Sequence, residues 1–102
     1  MANSEAIPEL KRLVGALIFA ANRPLSAKDI RKCLQEVSEI EGGETRVFAE
    51  ARQQDVDAAV EELRGDVEKA KPGFALGEVA GGLRYQSDAS CGKWVRHLLA
   101  AG

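Results

Sequence analysis

The residue types that catalyse reactions or bind metals are few in this sequence and widely scattered. The single histidine, His97, follows Lys93 and Arg96, and no carboxylate or cysteine lies at a catalytic or metal-binding spacing from it. Adjacent carboxylates such as Glu61 and Glu62 are typical of an exposed helix surface, and no glycine-rich loop of a nucleotide-binding type occurs. We therefore predict that the protein is not an enzyme and uses no metal or cofactor.

The composition is that of one folded domain in a reducing compartment. The chain has 102 residues, of which 45% are hydrophobic and 29% are charged, as is ordinary for a globular domain. Cys33 and Cys91 have no nearby ligand partners, which favours free thiols over a disulfide framework. The apolar run 13–21 follows Glu9 and continues a helical pattern, so we do not interpret it as a secretion signal. No segment has the roughly 20 apolar residues of a membrane span, and we expect a cytoplasmic protein.

Apolar periodicity predicts two helices within residues 1–37 and a third over residues 54–71. Ser26, with Asp29 three residues later, is predicted to cap the second helix as an acidic variant of the capping box. Residues 38–53 are polar, show little regular pattern and are predicted to form an inserted loop. The apolar stripes of the three helices are Leu10, Leu13, Val14, Leu17, Ile18 and Ala21; Ile30, Cys33, Leu34 and Val37; and Val56, Ala59, Val60, Leu63, Val67 and Ala70.

A β-hairpin, or wing, is predicted over residues 73–87 around a two-residue turn at Gly81 and Gly82. This turn sets Ala80 opposite Leu83 and Glu78 opposite Tyr85. One face of the hairpin is then apolar and can pack on the helices, through Phe74, Leu76, Leu83 and Tyr85.

A last helix is predicted over residues 88–100, capped by Ser87 or Asp88. Residues 23–25 are available as a short third strand. Three helices, a hairpin wing and a C-terminal helix predict an α+β winged helix-turn-helix, with residues 1–102 as a single domain. The last helix has a narrow apolar seam, formed by Trp94, Val95, Leu98 and Leu99.

The charges argue against reading of DNA bases by the third helix. Between Gln54 and Lys71 the chain has six carboxylates against three bases, which suits solvent better than a phosphate-lined groove. Arg84 is the only base in the wing. We therefore expect direct DNA binding to be weak or absent. The competing hypothesis is a DNA-binding transcriptional regulator that uses Arg84, Lys93, Arg96, Lys28, Arg31 and Lys32.

One flank of the first helix is more apolar than an amphipathic helix requires. Ala16, Phe19 and Ala20 lie where polar residues are normal. Either the helix is central to the fold and covered by other elements, or this flank is a surface for self-association. Trp94 in the last helix presents the same choice. These four residues are our candidate protein interface.

The order of these motifs resembles the bacterial segregation and condensation protein B family. The resemblance rests on LVGALIFAANRPLS (13–26), VDAAVEELRGDVE (56–68), LGEVAGGLRYQS (76–87) and WVRHLL (94–99), with the EVAGG turn and the WV pair as its more specific parts. It covers most of the chain except residues 38–53, which are longer than the turn usual in that family.

This resemblance implies a non-enzymatic condensin subunit for chromosome condensation and partition in the cell cycle and cell division. Its expected location is the cytoplasm, at the nucleoid. Its expected partners are a second copy of itself, the kleisin called segregation and condensation protein A, and the condensin coiled-coil ATPase. The family is usually a tandem of two winged helices, and this chain corresponds to the first, which is associated with dimerisation. Kleisin contacts are expected mainly from the second.

Overall fold

The structure is a computed structural model and describes residues 7–101. Three helices pack with a two-stranded antiparallel hairpin, and a fourth helix follows, so the α+β winged-helix fold is confirmed. The elements in chain order are α1 (Leu10–Ala20), α2 (Ala27–Glu41), a first 3₁₀ helix (Gly43–Phe48), α3 (Gln53–Ala70), β1 (Phe74–Val79), β2 (Gly82–Ser87), a second 3₁₀ helix (Ala89–Cys91) and α4 (Gly92–Ala101).

The predicted capping box begins α2. The Ser26 hydroxyl accepts a hydrogen bond from the Asp29 N–H at 3.0 Å, and the Asp29 carboxylate accepts one from the Ser26 N–H at 3.0 Å. Arg23 also donates to this carboxylate at 3.3 Å. The bonds from Ser26, and then that from Arg23, lower the pKa of Asp29. Two backbone donors that the helix leaves unpaired at its start are thereby satisfied.

The predicted loop over residues 38–53 was wrong. α2 continues to Glu41 and ends at Gly42, where φ is 62°, and Gly43–Phe48 then form a 3₁₀ helix. The last turn of α2 is rich in glutamate, which forms helices well although it adds nothing to an apolar period. Phe48 packs against the core, so this segment is part of the folded body.

The hairpin pairs in a different register from the one predicted. Glu78 lies opposite Leu83, where Ala80 was expected, and Tyr85 lies opposite Leu76. Because the pairing moves by two positions, each side chain keeps its face of the sheet. The predicted apolar face therefore persists, and Leu76 and Leu83 are buried in it.

The turn itself consists of Ala80 and Gly81, with φ of 51° and 79°, and not of Gly81 and Gly82 as predicted. Gly82 is instead the first residue of β2 and is buried. A Cβ at Gly82 would lie 2.7 Å from the Pro24 Cβ, closer than side chains pack. This glycine is needed because residues 24–25 run against the hairpin, where the Leu25 and Leu83 backbones exchange hydrogen bonds of 3.0 and 2.6 Å. The predicted third strand is this single bridge.

The core lies where α1, α2, α3 and the inner face of the hairpin meet. The Tyr85 hydroxyl donates to the Gly15 carbonyl at 3.4 Å, and the Tyr85 ring meets Phe74 edge to face with centroids 5.5 Å apart. Partial burial raises the pKa of Tyr85. The buried apolar residues are Val14, Ile18, Ile30, Leu34, Val56, Ala59, Val60, Leu76 and Leu83.

α4 differs from α1, α2 and α3 because no residue in it is buried. Its packing is mainly against the short 3₁₀ helix just before it. Asp88 caps that 3₁₀ helix by accepting hydrogen bonds from the Ser90 hydroxyl and the Ser90 N–H, and these bonds lower the pKa of Asp88. Within residues 7–101, no helix is long and apolar enough to cross a membrane.

Candidate interaction surfaces

The apolar flank of α1 is open to solvent. We call Ala16, Phe19 and Ala20 the α1 flank; all three are exposed, and the Phe19 side chain is 82% exposed. Val14 and Ile18 on the other side of the same helix are buried in the core. The first of our two interpretations, in which other elements cover this flank, is therefore wrong for the described chain. The second interpretation, self-association, requires an exposed apolar surface, and the α1 flank is such a surface.

The last helix presents a second apolar patch. We call Trp94, Leu98 and Leu99 the α4 surface; their side chains are each at least 70% exposed. Within residues 7–101, α1 and α4 do not pack extensively against each other, so this surface and the α1 flank lie on different elements. The four predicted interface residues therefore fall into two patches.

The wing offers little for nucleic acid. Gly81 is exposed at the tip, Gly82 is buried, and Arg84 is exposed with Gly77 opposite it. On α2, the Arg31 guanidinium donates to the Ala51 carbonyl at 3.2 Å and so connects α2 to the segment before α3. One of the six bases of the DNA-binding hypothesis thus has a structural contact.

Carboxylates of α3 also connect that helix to α1. The Lys11 ammonium lies 2.7 Å from Asp66 and 3.1 Å from Glu62. Hydrogen bonds to Asp66 first, and then to Glu62, raise the pKa of Lys11. Asp57, Glu61 and Glu68 are exposed as predicted. Asp55 is half-buried, and its carboxylate accepts a hydrogen bond from the Arg52 N–H at 2.9 Å at the start of α3.

Our sequence reasoning missed a groove between the start of α1, the first 3₁₀ helix and α3. We call it the acidic groove; its volume is ≈ 560 Å³. Val47 and Phe48 come from the segment that was predicted to be a loop, which is why the groove was not foreseen. The lining residues are Glu9, Leu10, Lys11, Val47, Phe48, Glu50, Ala51, Asp55, Ala58, Ala59 and Glu62.

The groove combines an apolar lining with negative charge. Four of its lining residues are carboxylates and one is a lysine, Lys11, whose charge is already paired with Glu62 and with Asp66 beside the groove. Val47 is 63% exposed although it is a large apolar side chain. Such a site suits an apolar ligand surface with positive charge at its edges.

The residues that could bind a metal or act as nucleophiles lie apart from one another within residues 7–101. Across residues 7–101 no three His, Cys, Asp or Glu residues are grouped as a metal site. His97 is exposed on α4, and Cys33 and Cys91 are both free thiols.

Comparison with solved structures supports the fold. A conserved hypothetical protein from Chlorobium tepidum is 29% identical over 89% of this chain and 48% of its own, with a TM-score of 0.61. ScpB from Mycobacterium tuberculosis is 20% identical over 95% of this chain and 53% of its own, with a TM-score of 0.65. The chain thus spans about half the length of each of these two proteins.

A third structure matches almost end to end. It is described as a dimer of the ScpB N-terminal domain complexed with a ScpA peptide, and it is 22% identical over 86% of this chain and 91% of its own, with a TM-score of 0.60. At this identity the likeness shows the fold alone. A search of curated proteins finds no match.

The match to a protein family covers more of the chain than the four sequence motifs that carried the resemblance. Residues 12–102 match the family described as segregation and condensation complex subunit ScpB. The match includes all of the wing, α4 and the segment that joins α2 to α3. On this evidence the chain belongs to the ScpB family of segregation and condensation complex subunits.

Proposed function

We propose that this protein is a non-enzymatic scaffold subunit that acts in chromosome condensation and segregation by protein–protein association. The observation that carries the proposal is the α1 flank. A phenylalanine that is 82% exposed lies on a helix whose opposite side builds the core. Isolated exposed apolar residues are normal on protein surfaces, but a contiguous apolar patch usually marks an interface.

Self-association through this flank has a simple energetic basis. Burying one phenylalanine side chain contributes about 1.5–3 kcal/mol, and a two-fold symmetric dimer buries it twice. Association costs about 4–15 kcal/mol of lost translational and rotational freedom. The flank alone does not offset that cost, so we include Trp94 of the α4 surface among the contacts.

The other binding partners that we propose for this protein are inferred from its family. We expect the kleisin, segregation and condensation protein A, and the condensin coiled-coil ATPase to bind mainly through a second domain. One related structure, however, is described as the ScpB N-terminal domain complexed with a ScpA peptide, which supports a kleisin contact on the first domain as well. Direct DNA binding is expected to be weak or absent because the exposed face of α3 is acidic. The expected location is the cytoplasm, at the nucleoid.

Light scattering over a tenfold range of protein concentration tests self-association. We expect a dimer for the unaltered chain and a weaker dimer for Phe19→Ser. Ile40→Ser is the matched control, because Ile40 is 79% exposed but lies on α2. Circular dichroism confirms that both variants fold. A strict monomer for the unaltered chain, or equal weakening by both substitutions, would contradict the proposal.

A further inference from the structure

α4 has two sides of opposite chemistry. At about 100° per residue, the residues of the α4 surface lie on one side of the helix. We call Lys93, Arg96 and His97 the basic side; they lie together on the other side of the helix, and all three are exposed. The sequence of α4 contains no acidic residue. The helix therefore separates apolar side chains from basic ones along its whole length.

The body of the domain leaves both sides of α4 open to solvent. α4 packs mainly on the second 3₁₀ helix, and the apolar side chains of the α4 surface are each at least 70% exposed. The carboxylate nearest to α4 in the sequence is that of Asp88. It already accepts hydrogen bonds from Ser90, and Lys71, just after α3, partly offsets its negative charge. A negatively charged partner therefore meets little repulsion beside α4.

An exposed helix of this kind suits the surface of an anionic membrane. Such helices lie in the plane of the bilayer, with the apolar side at the boundary between acyl chains and headgroups. Tryptophan favours this boundary because its ring is apolar and its N–H is polar. Long basic side chains can extend to the lipid phosphates. Ten residues form a helix about 15 Å long, half of the roughly 30 Å hydrocarbon core, so α4 can lie on a bilayer but cannot span it.

We propose that α4 binds reversibly to a membrane surface that contains anionic lipids. The α4 surface enters the boundary layer, and Lys93 and Arg96 reach the phosphates. A second copy of the chain accounts for the apolar side alone, and a nucleic acid accounts for the basic side alone. An anionic bilayer accounts for both, because its acyl chains and its phosphates lie in adjacent layers. This contact would hold the proposed scaffold at the membrane, which goes beyond its proposed function.

Cosedimentation of the full chain with lipid vesicles tests the contact. Vesicles of equal parts phosphatidylcholine and phosphatidylglycerol are compared with vesicles of phosphatidylcholine alone. We expect the anionic vesicles to bind about tenfold more strongly or better, because anionic lipids attract each basic residue near the surface. Trp94 is the only tryptophan in the sequence, so a blue shift of the protein fluorescence reports its entry into the bilayer.

Two variants separate the charged contribution from the apolar one. Lys93→Glu with Arg96→Glu should weaken binding to the anionic vesicles about tenfold or more. Its matched control is Lys28→Glu with Lys32→Glu, which makes the same change in charge at exposed positions of α2 and should weaken binding less than about twofold.

Leu98→Ser should also weaken binding about tenfold and reduce the blue shift, because it removes apolar surface from the contact. Its matched control is Ile40→Ser on α2, and circular dichroism confirms that all variants fold. Three results would overturn the inference: no binding to the anionic vesicles, equal binding to both kinds of vesicle, or equal weakening by the α4 and α2 charge variants. Binding of duplex DNA through Lys93 and Arg96, in a chain that does not bind vesicles, would also overturn it.

Membrane binding and self-association can fail independently. Phe19→Ser should weaken self-association and preserve vesicle binding, because Phe19 lies on α1. A dimer that does not bind vesicles would refute the membrane contact and leave the proposed function standing. A strict monomer that binds the anionic vesicles would do the reverse. Because Trp94 is also among the proposed dimer contacts, anionic vesicles should compete with that contact.

Discussion

α1 and α4 both present apolar side chains to solvent, yet only α1 has a second side in the core. Val14 and Ile18 hold α1 against the other elements, whereas α4 buries no residue and packs mainly on the turn before it. A ten-residue helix is marginal in water without tertiary packing. We infer that the order of α1 comes from the body of the domain and that α4 gains full order from whatever covers it.

The sharpest test of this contrast compares one substitution in each helix. Ile18→Ala should lower the free energy of unfolding by about 2–5 kcal/mol, because it removes buried methyl groups and leaves a cavity. Leu98→Ala on α4 is the matched control and should change it by less than about 0.5 kcal/mol in the monomer. Urea denaturation at low protein concentration measures both. Similar losses for the two would show that α4 is part of the core.

A smaller loss in the free energy of unfolding is expected from a substitution where the chain after α1 contacts the wing. Gly82→Ala should cost about 1–3 kcal/mol, since the new Cβ would lie 2.7 Å from the Pro24 side chain and 2.8 Å from its backbone. Gly65→Ala, at an exposed position of α3 with no atom within 4 Å of the added Cβ, should instead raise the free energy of unfolding by up to about 1 kcal/mol. Thermal unfolding of both variants gives the comparison. A stable Gly82→Ala protein would mean that residues 24–25 do not hold α1 to the hairpin.

Hydrogen exchange compares the two helices in one protein. Amides in α1 should be protected nearly to the level of global unfolding, whereas amides in α4 should exchange much faster at low protein concentration. Protection of α4 should rise with concentration if a second copy covers it. Concentration-independent protection of α4 would separate its order from self-association.

The smallest effect concerns acid stability at the start of α2. The pKa of Asp29 is lowered in the folded chain, so its contribution is present above the unfolded pKa of about 3.9 and is lost as the pH falls through the folded value. Asp29→Asn should therefore flatten the fall in stability between roughly pH 5 and pH 2. Thermal unfolding across this range measures it. The pKa of Asp88 is also lowered, but protonation of Asp88 should loosen only the turn before α4.

The helices of the body could be predicted because each carries local signals. Ser26 and Asp29 form the expected capping box, and the apolar stripe of α1 contains the buried Val14 and Ile18. The prediction of which face of the hairpin packs on the helices was also correct. Periodicity identifies a core face well when one side of an element is buried, because the spacing of apolar residues then follows the helix or strand repeat.

The errors fall where distant parts of the chain decide the structure. The sequence alone predicts that Gly82 is a turn residue. In the structure Pro24 packs against Gly82, and the turn is formed by Ala80 and Gly81. Residues 38–53 lack a period because a short 3₁₀ helix exposes most of its side chains. The acidic groove joins three separated segments, so no local pattern could reveal it.

The two neighbouring glycines of the wing have different tolerances for change. Gly81 is exposed at the tip with space around a possible Cβ, although its φ of 79° still disfavours a side chain, whereas Gly82 has no room for a single added carbon. Peptide tags or fluorescent labels inserted between Ala80 and Gly81 should therefore leave the fold intact, as exposed loop tips generally allow. The wing tip thus offers a place for a reporter of assembly that touches neither the α1 flank nor α4.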